Sequence, residues 1–143
     1  MLHNAADQSS DLSATGLQTA YEEMLRSVLT TAGVDTVAAE TGVEAERLDG
    51  LVSGEQPTLT VTEAASILAV DEELPDSEAI VYELRDHLLM GMTTAVLDVD
   101  TIAANIDVDL SGQEVQQAIE GRIEMTLVQL AAIQSVIDGR NED

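Results

Sequence analysis

The chain has 143 residues, no cysteine, and a formal net charge of −23 that arises from 28 Asp and Glu against five Arg. The lack of cysteine excludes disulfides, thiol nucleophiles and zinc-thiolate sites, and no apolar run reaches the roughly 18 residues of a membrane-spanning helix. The acids are spread among apolar residues, so we expect a folded chain. The N-terminus has neither a basic start nor an apolar signal core, so we expect a cytoplasmic protein.

The acidity predicts a dependence on salt. A surface of this charge repels itself at ordinary ionic strength, and molar salt removes most of that repulsion because the Debye length falls to about 3 Å. Lysine, Phe and Trp are absent, so the core must be built from Ala, Val, Leu, Ile and Met. This composition resembles that of proteins from salt-accumulating haloarchaea.

The N-terminal half predicts a flexible start and four helices. Residues 1–12 are polar, and we expect them to be frayed. Ser13 or Thr15 can cap a helix that Gly33 ends. This helix carries one apolar face, formed by Leu17, Tyr21, Met24, Leu25 and Val28.

Three short helices follow. Asp35 can cap the first, which runs to residue 41 and ends at Gly42. The second spans 44–53, with Gly54 behind it. Thr60 or Thr62 can open the third, which runs through residue 68.

The C-terminal half predicts a long helix over 77–97 and three shorter ones. The long helix contains "LLMGMTTAVL", which is apolar nearly all round and therefore suits either a central helix or a dimer seam in which Gly91 allows close approach. Asp98 or Asp100 can open a helix that ends near residue 107. The S-x-x-E pattern of Ser111 and Glu114 predicts a capping box. The last helix runs from 127 to a stop at Gly139.

An internal repeat relates the two halves. "VDTVAAETGV" at 34–43 returns as "VDTIAANIDV" at 99–108, and "LTVTEAASI" at 59–67 returns as "MTLVQLAAI" at 125–133. The same elements therefore recur in the same order. We divide the chain into a flexible N-terminus (1–12), a first unit (13–74), a second unit that includes the long helix (75–140) and a tail (141–143).

The first copy resembles the helix-turn-helix of the lambda-repressor-like (Cro/C1) family over residues 34 to 70. The resemblance assigns the turn to Gly42, where a positive φ favours glycine, and close helix crossing to Ala38. It implies that Leu48 and Leu51 face inward and that Gly54 ends the second helix. The corresponding residues of the second copy are Ala103, Val115, Ala118 and Gly121. This copy departs from the family because Asp107 replaces the turn glycine and two extra residues lengthen the turn.

In this family the second helix of the motif enters the DNA major groove. The first copy offers Arg47 among acids, whereas the second offers Gln113, Gln116 and Gln117, with Arg122 just beyond. Glutamine can form two hydrogen bonds to adenine, so these five residues are the candidate DNA contacts. The scarcity of basic donors lowers the weight of this interpretation.

Two other patterns favour plain structural roles. Asp107, Asp109, Ser111 and Gly112 have calcium-loop spacing, but Ala118 stands where a bidentate Glu is needed. His87 adjoins Asp86, yet no nucleophile accompanies it, and His3 lies in the terminus that we expect to be loose. We read Glu22, Glu23 and the acids at 71–73 as a solvated face.

We therefore expect an all-α fold of about eight helices, built from two diverged helix-turn-helix units that share a long central helix. No catalytic residue, metal site, cofactor or small-molecule substrate is predicted, and we expect neither an enzyme nor a membrane protein. The leading hypothesis is a regulatory or scaffolding module that binds a protein partner or itself through helical faces. The alternative is a sequence-specific DNA-binding transcriptional regulator that works at high salt.

Overall fold

Eight α-helices make up most of residues 2–5 and 12–142, the part of the chain that the computed structural model describes. Within these ranges there is no β-strand, and an isolated antiparallel bridge joins Thr60 and Thr126. The expected all-α fold of about eight helices is confirmed. The helices are α1 (Ala14–Ala32), α2 (Val34–Thr41), α3 (Ala45–Val52), α4 (Val61–Leu68), α5 (Ser77–Ala95), α6 (Val99–Ala104), α7 (Gly112–Ile119) and α8 (Leu127–Glu142).

Polar side chains start most of these helices, as the sequence predicted. Ser13 Oγ accepts from Gly16 N at 3.1 Å to begin α1, and Asp98 Oδ1 accepts from Thr101 N at 2.7 Å to begin α6. Each such cap satisfies a backbone donor that the first helical turn leaves without an intrahelical partner. Ser111 forms the expected capping box at the start of α7.

Three predicted helix ends were wrong. The helix α2 begins at Val34, directly after Gly33 has turned the chain with a φ of 91°, so Asp35 lies inside the first turn and does not cap. In the second repeat, α6 ends at Ala104 and not near residue 107 as predicted. The last helix passes through Gly139 to Glu142, and its end is held on α5 because Asn141 Nδ2 donates to Gly91 O at 3.0 Å.

The two repeat copies meet at their matching connectors. Val61 N donates to Met125 O at 2.7 Å, and Leu127 N donates to Leu59 O at 2.9 Å. These bonds are reciprocal, because residues 59–61 correspond to 125–127 in the sequence repeat. The matching stretches therefore occupy equivalent positions on either side of a local two-fold axis.

Both connectors also open their helices in the same way. Thr60 Oγ1 accepts from Glu63 N while Thr60 N donates to Glu63 Oε1, at 3.1 and 3.0 Å. Thr126 and Gln129 repeat this pair of bonds at 3.1 and 3.0 Å. The capping box thus fixes the direction in which α4 and α8 leave the joint.

Two long helices, and not α5 alone, contact both halves. The helices α1 and α5 have 19 residues each, and each packs against both α4 and α8. Their core-facing positions have the same spacing and are fully buried; in α1 they are Leu17, Tyr21 and Leu25, and in α5 they are Ile80, Leu84 and Leu88. The expected long helix that both halves share is therefore present as α5, and α1 is a second long helix that contacts both halves in the same way.

The described part of the N-terminus packs against the domain. Residues 2–4 form a short 3₁₀ turn that contacts α5, and the side chains of Leu2 and Ala5 are fully buried. The expected flexible segment 1–12 is thus anchored at residues 2–5, while its residues 1 and 6–11 lie outside the described ranges. No helix in those ranges is both long and apolar enough to cross a membrane.

One acid that was assigned to the solvated face is buried. The side chain of Glu22 is 2 % exposed. It accepts from Gln56 Nε2 at 3.2 Å and from Gln18 Nε2 at 3.5 Å. Two amide donors therefore replace water around this carboxylate.

Gly91 permits close approach, but within the chain. A Cβ at this position would lie 2.5 Å from Ile137 Cγ2 on α8, and Ile137 is fully buried. The dimer seam that the sequence placed around Gly91 is therefore wrong for this face of α5, because α8 occupies it.

This contact predicts opposite effects for two helical glycines. Gly91→Ala should destabilise the fold by roughly 1–3 kcal/mol, since a fully buried side chain must move to admit the new methyl group. Gly139→Ala should stabilise it by roughly 0.5–1 kcal/mol, because α8 has open space there and alanine is the better helix former. Urea unfolding of both variants measures the two effects. Equal changes of the same sign would contradict the assignment of Gly91 to the α5–α8 contact.

Candidate functional site

The DNA-contact candidates of the second repeat lie on or just beyond α7. Gln113 and Gln116 are exposed on this helix and Gln117 is half-buried, while Val115, Ala118 and Ile119 fill the opposite face. Arg122 follows the helix; its side chain is 71 % exposed, and Nη2 lies 3.5 Å from Glu120 Oε2. The structure thus brings the three glutamines to one small helix and places Arg122 just beyond its far end, beside an acid.

Arg47 serves as an internal clamp and not as a donor available to DNA. Its Nη1 and Nη2 donate to the two carboxylate oxygens of Glu63 at 2.8 and 2.7 Å, and Nη2 also donates to Thr58 O at 2.6 Å. The paired hydrogen bonds raise the pKa of Arg47 and lower that of Glu63. Sequence reasoning missed this pair because the partners lie on different helices.

The turn and packing residues of the two copies fill corresponding roles. Gly42 ends α2 with a φ of 76°, as expected, and Gly54 and Gly121 also have positive φ. The inward positions on α3 and α7 are buried, namely Leu48, Leu51, Val115 and Ala118. Ala38 and Ala103 are half-buried. The second turn is longer, as predicted, because residues 105–111 separate α6 from α7 whereas 42–44 separate α2 from α3.

A row of exposed apolar side chains lies on α5, opposite its buried face. Tyr82 is 72 % exposed, Leu89 47 %, Met90 63 % and Val96, just past the helix end, 90 %. We call these four residues the outer face of α5. The sequence indicated that this stretch is apolar nearly all round, but its composition does not show which side neighbouring helices cover.

A shallow groove adjoins the outer face at its N-terminal end. It has a volume of about 360 Å³ and lies beside Tyr82. Its walls are formed by α5 and the start of α4, with Thr62, Ser77, Glu78, Val81, Tyr82 and Arg85. Arg85 is held in place because Nε donates to Ile119 O at 3.0 Å and Nη2 donates to Glu120 O. Tyr82 therefore stands between this groove and the rest of the outer face.

Val96 has an unusual backbone conformation for its side chain. It ends α5 in the left-handed region, with φ 54° and ψ 50°. Among the described non-glycine residues, this is the one with positive φ. A β-branched side chain is strongly disfavoured there, so the backbone turn holds an apolar side chain in solvent at a local energetic cost.

A polar network ties the N-terminal turn to the long helices. His87 Nε2 lies 3.0 Å from Asp138 Oδ1, and the rings of His3 and His87 stack with centroids 4.6 Å apart. Gln134 Nε2 donates to Asp138 Oδ2 at 2.9 Å and to His3 O at 3.0 Å, and Gln134 Oε1 accepts from the Tyr21 hydroxyl. The expectation that His3 lies in a loose terminus was therefore wrong.

Burial tunes two groups in this network. Desolvation lowers the pKa of His3, and the neighbouring His87 lowers it further. Desolvation also raises the pKa of the Tyr21 hydroxyl well above its usual range. Both shifts favour the neutral form of the group, which suits a structural contact between helices. Sequence reasoning placed the two histidines 84 positions apart and had no signal that would bring them together.

The segment with calcium-loop spacing forms a helix cap at Ser111. Ser111 Oγ accepts from Glu114 N at 3.1 Å, and Ser111 N donates to Glu114 Oε1 at 3.1 Å. Within residues 2–5 and 12–142, no group of three or more His, Asp or Glu side chains is arranged to hold a metal ion.

The fold and its surface define an acidic all-α domain of two repeated units with an exposed apolar face on one long helix. The chain belongs to the DUF5791 family, a family of unknown function, whose model matches residues 17–140. No curated protein and no solved structure matches the chain.

The Arg47 clamp predicts a pH-dependent contribution to stability. Because the folded-state pKa of Glu63 is lowered from 4.5, the pair stabilises fully above about pH 4.5 and loses its effect as the pH falls through the folded-state value. We expect Arg47→Met to cost about 1 kcal/mol at neutral pH and less at about pH 3. Arg122→Met is the matched control, with little expected effect because that side chain is mostly exposed. Urea unfolding at both pH values tests this, and an equal loss at each would contradict it.

Proposed function

We propose that this protein is a non-enzymatic regulatory or scaffolding module that binds a protein partner through the outer face of α5. The observation that carries the proposal is the exposure of four large apolar side chains along one side of a single helix, from 47 % for Leu89 to 90 % for Val96. Large exposed apolar side chains grouped on one side of a helix are typical of interaction sites.

The types of residue on the outer face suit binding. A tyrosine such as Tyr82 contributes a large contact area and a hydroxyl for hydrogen bonding, and tyrosines are enriched among the residues that dominate binding energy. Met90 is flexible and polarisable, so it can adapt to the shape of a partner. Each square ångström of apolar surface buried on binding contributes about 25 cal/mol before the costs of association.

The rest of the protein supports this face rigidly. Ile80, Leu84 and Leu88 fix the opposite side of α5 in the core. The polar network through His87 and Asp138 joins α5 to α8. A partner would therefore meet a preformed surface, which reduces the conformational entropy lost on binding.

A photo-crosslinking experiment tests the proposal. A photoreactive phenylalanine analogue at Tyr82 should yield an adduct with a specific protein in cells that naturally make this chain. Leu89→Glu should abolish the adduct, because binding would have to bury an unpaired charge. With the captured partner purified, the same substitution should weaken the affinity at least about tenfold, or 1.4 kcal/mol.

Val52→Glu is the matched control for that experiment. Val52 is 47 % exposed, as Leu89 is, but lies at the end of α3. It should leave the adduct and the affinity unchanged. An adduct that survives Leu89→Glu, or one that Val52→Glu removes equally, would contradict binding through the outer face.

We propose DNA recognition at high salt as the second candidate function. It is supported by the exposure of Gln113 and Gln116, which are three residues apart on α7 and so share one helix face. Selection of genomic fragments by the purified protein in about 1 M KCl should enrich defined sites, and Gln116→Ala should remove the enrichment. The absence of enriched sites at every salt concentration would count against this candidate.

A further inference from the structure

We infer that the partner of the outer face is a second copy of this chain, bound with its α5 antiparallel. This inference rests on the proposed role of the outer face in protein binding, and it names the occupant. The interface would be isologous, because the two copies use the same helix about a two-fold axis near Leu89.

A projection and a recess on the same face support this pairing. Val96 projects from the C-terminal end of α5, 90 % exposed, and the groove of about 360 Å³ lies beside Tyr82 near the N-terminal end. The two positions are 14 residues apart, or about 21 Å along the helix, with Leu89 midway between them. In an antiparallel pair, Val96 of each copy therefore lies opposite the groove of the other.

The distribution of charge along α5 favours the same orientation. Glu78, Glu83 and Asp86 all lie before Leu89, together with one base, Arg85, and residues 88–97 carry no charged side chain. Antiparallel pairing places each acidic half against the uncharged half of the other copy. Parallel pairing would align the acids, which costs energy, and would leave Val96 far from the groove.

The groove that receives Val96 carries no net charge. One acid, Glu78, and one base, Arg85, line it, and the Arg85 guanidinium also donates to Ile119 O and Glu120 O. An uncharged side chain therefore enters an electrically balanced groove, and this contact adds nothing to the general repulsion between two chains of net charge −23.

The repulsion makes association depend on salt. At about 0.1 M salt the Debye length is about 10 Å, so two acidic copies repel each other at contact distance; at about 1 M it is about 3 Å. A single helix pair buries less than the roughly 800 Å² per partner of a standard interface. We therefore expect a reversible dimer that strengthens at least about tenfold between these two salt concentrations.

Light scattering and sedimentation equilibrium on the full chain measure the association. The molar mass should approach twice 15.2 kDa with rising protein concentration in about 1 M KCl. Leu89→Glu should restore the monomer, whereas Val128→Glu, at a position 45 % exposed on α8, should not. A monomer at both salt concentrations would overturn the inference.

Disulfide trapping determines the orientation, because the natural chain contains no cysteine. Tyr82→Cys mixed with Val96→Cys should give a cross-linked heterodimer under mild oxidation, whereas each variant alone should remain uncross-linked. Disulfides require Cα atoms within about 7 Å, so cross-linking of either variant with itself would overturn the antiparallel arrangement. Val52→Cys with Val96→Cys is the negative control.

The two proposals can fail separately. If the chain is monomeric but the Tyr82 photo-adduct joins a different protein and is lost in Leu89→Glu, the outer face still binds protein and self-association is overturned. If the adduct is insensitive to Leu89→Glu, the outer face does not bind protein, and any residual dimer uses another surface, which also overturns the inference.

Discussion

The joint between the two connectors organises the architecture of the described chain. Two backbone hydrogen bonds, Val61 N to Met125 O and Leu127 N to Leu59 O, join corresponding residues of the repeat. A capping box at Thr60 and its counterpart at Thr126 direct α4 and α8 away from this joint. Each long helix then packs against both of them. The core is consequently shared between the halves and does not divide into two separate cores.

Much of this architecture could be predicted from local sequence signals. Ser13, Thr60, Asp98 and Ser111 are short polar residues directly before apolar periodic segments, and each caps a helix in the structure. Caps depend on neighbouring residues, so the sequence carries the relevant information. The repeat could also be found, because its two copies keep the same elements in the same order.

The remaining features depend on contacts between residues distant in sequence. Gly139 has the usual signature of a helix stop, yet α8 continues because Asn141 is held on α5. The separation of Arg47 from Glu63, and of His3 from His87, concealed their pairing. The apolar character of α5 could be predicted from its sequence. The side of α5 that stays exposed could not, because it depends on where α8 packs. Gln113 and Gln116 are exposed on α7, whereas the Arg47 guanidinium is already bonded to Glu63 and Thr58.

The reciprocal joint has a consequence for the ancestry of the fold. Without α5 and α8, a chain with only the first unit would expose the apolar sides of α1 and α4. It could cover them with the same surfaces of an identical molecule, since α1 and α5 are equivalent, as are α4 and α8. Tandem duplication of such a gene would convert a symmetric pair of short chains into one continuous chain. Afterwards each half could diverge independently, as the lengthened turn between α6 and α7 illustrates.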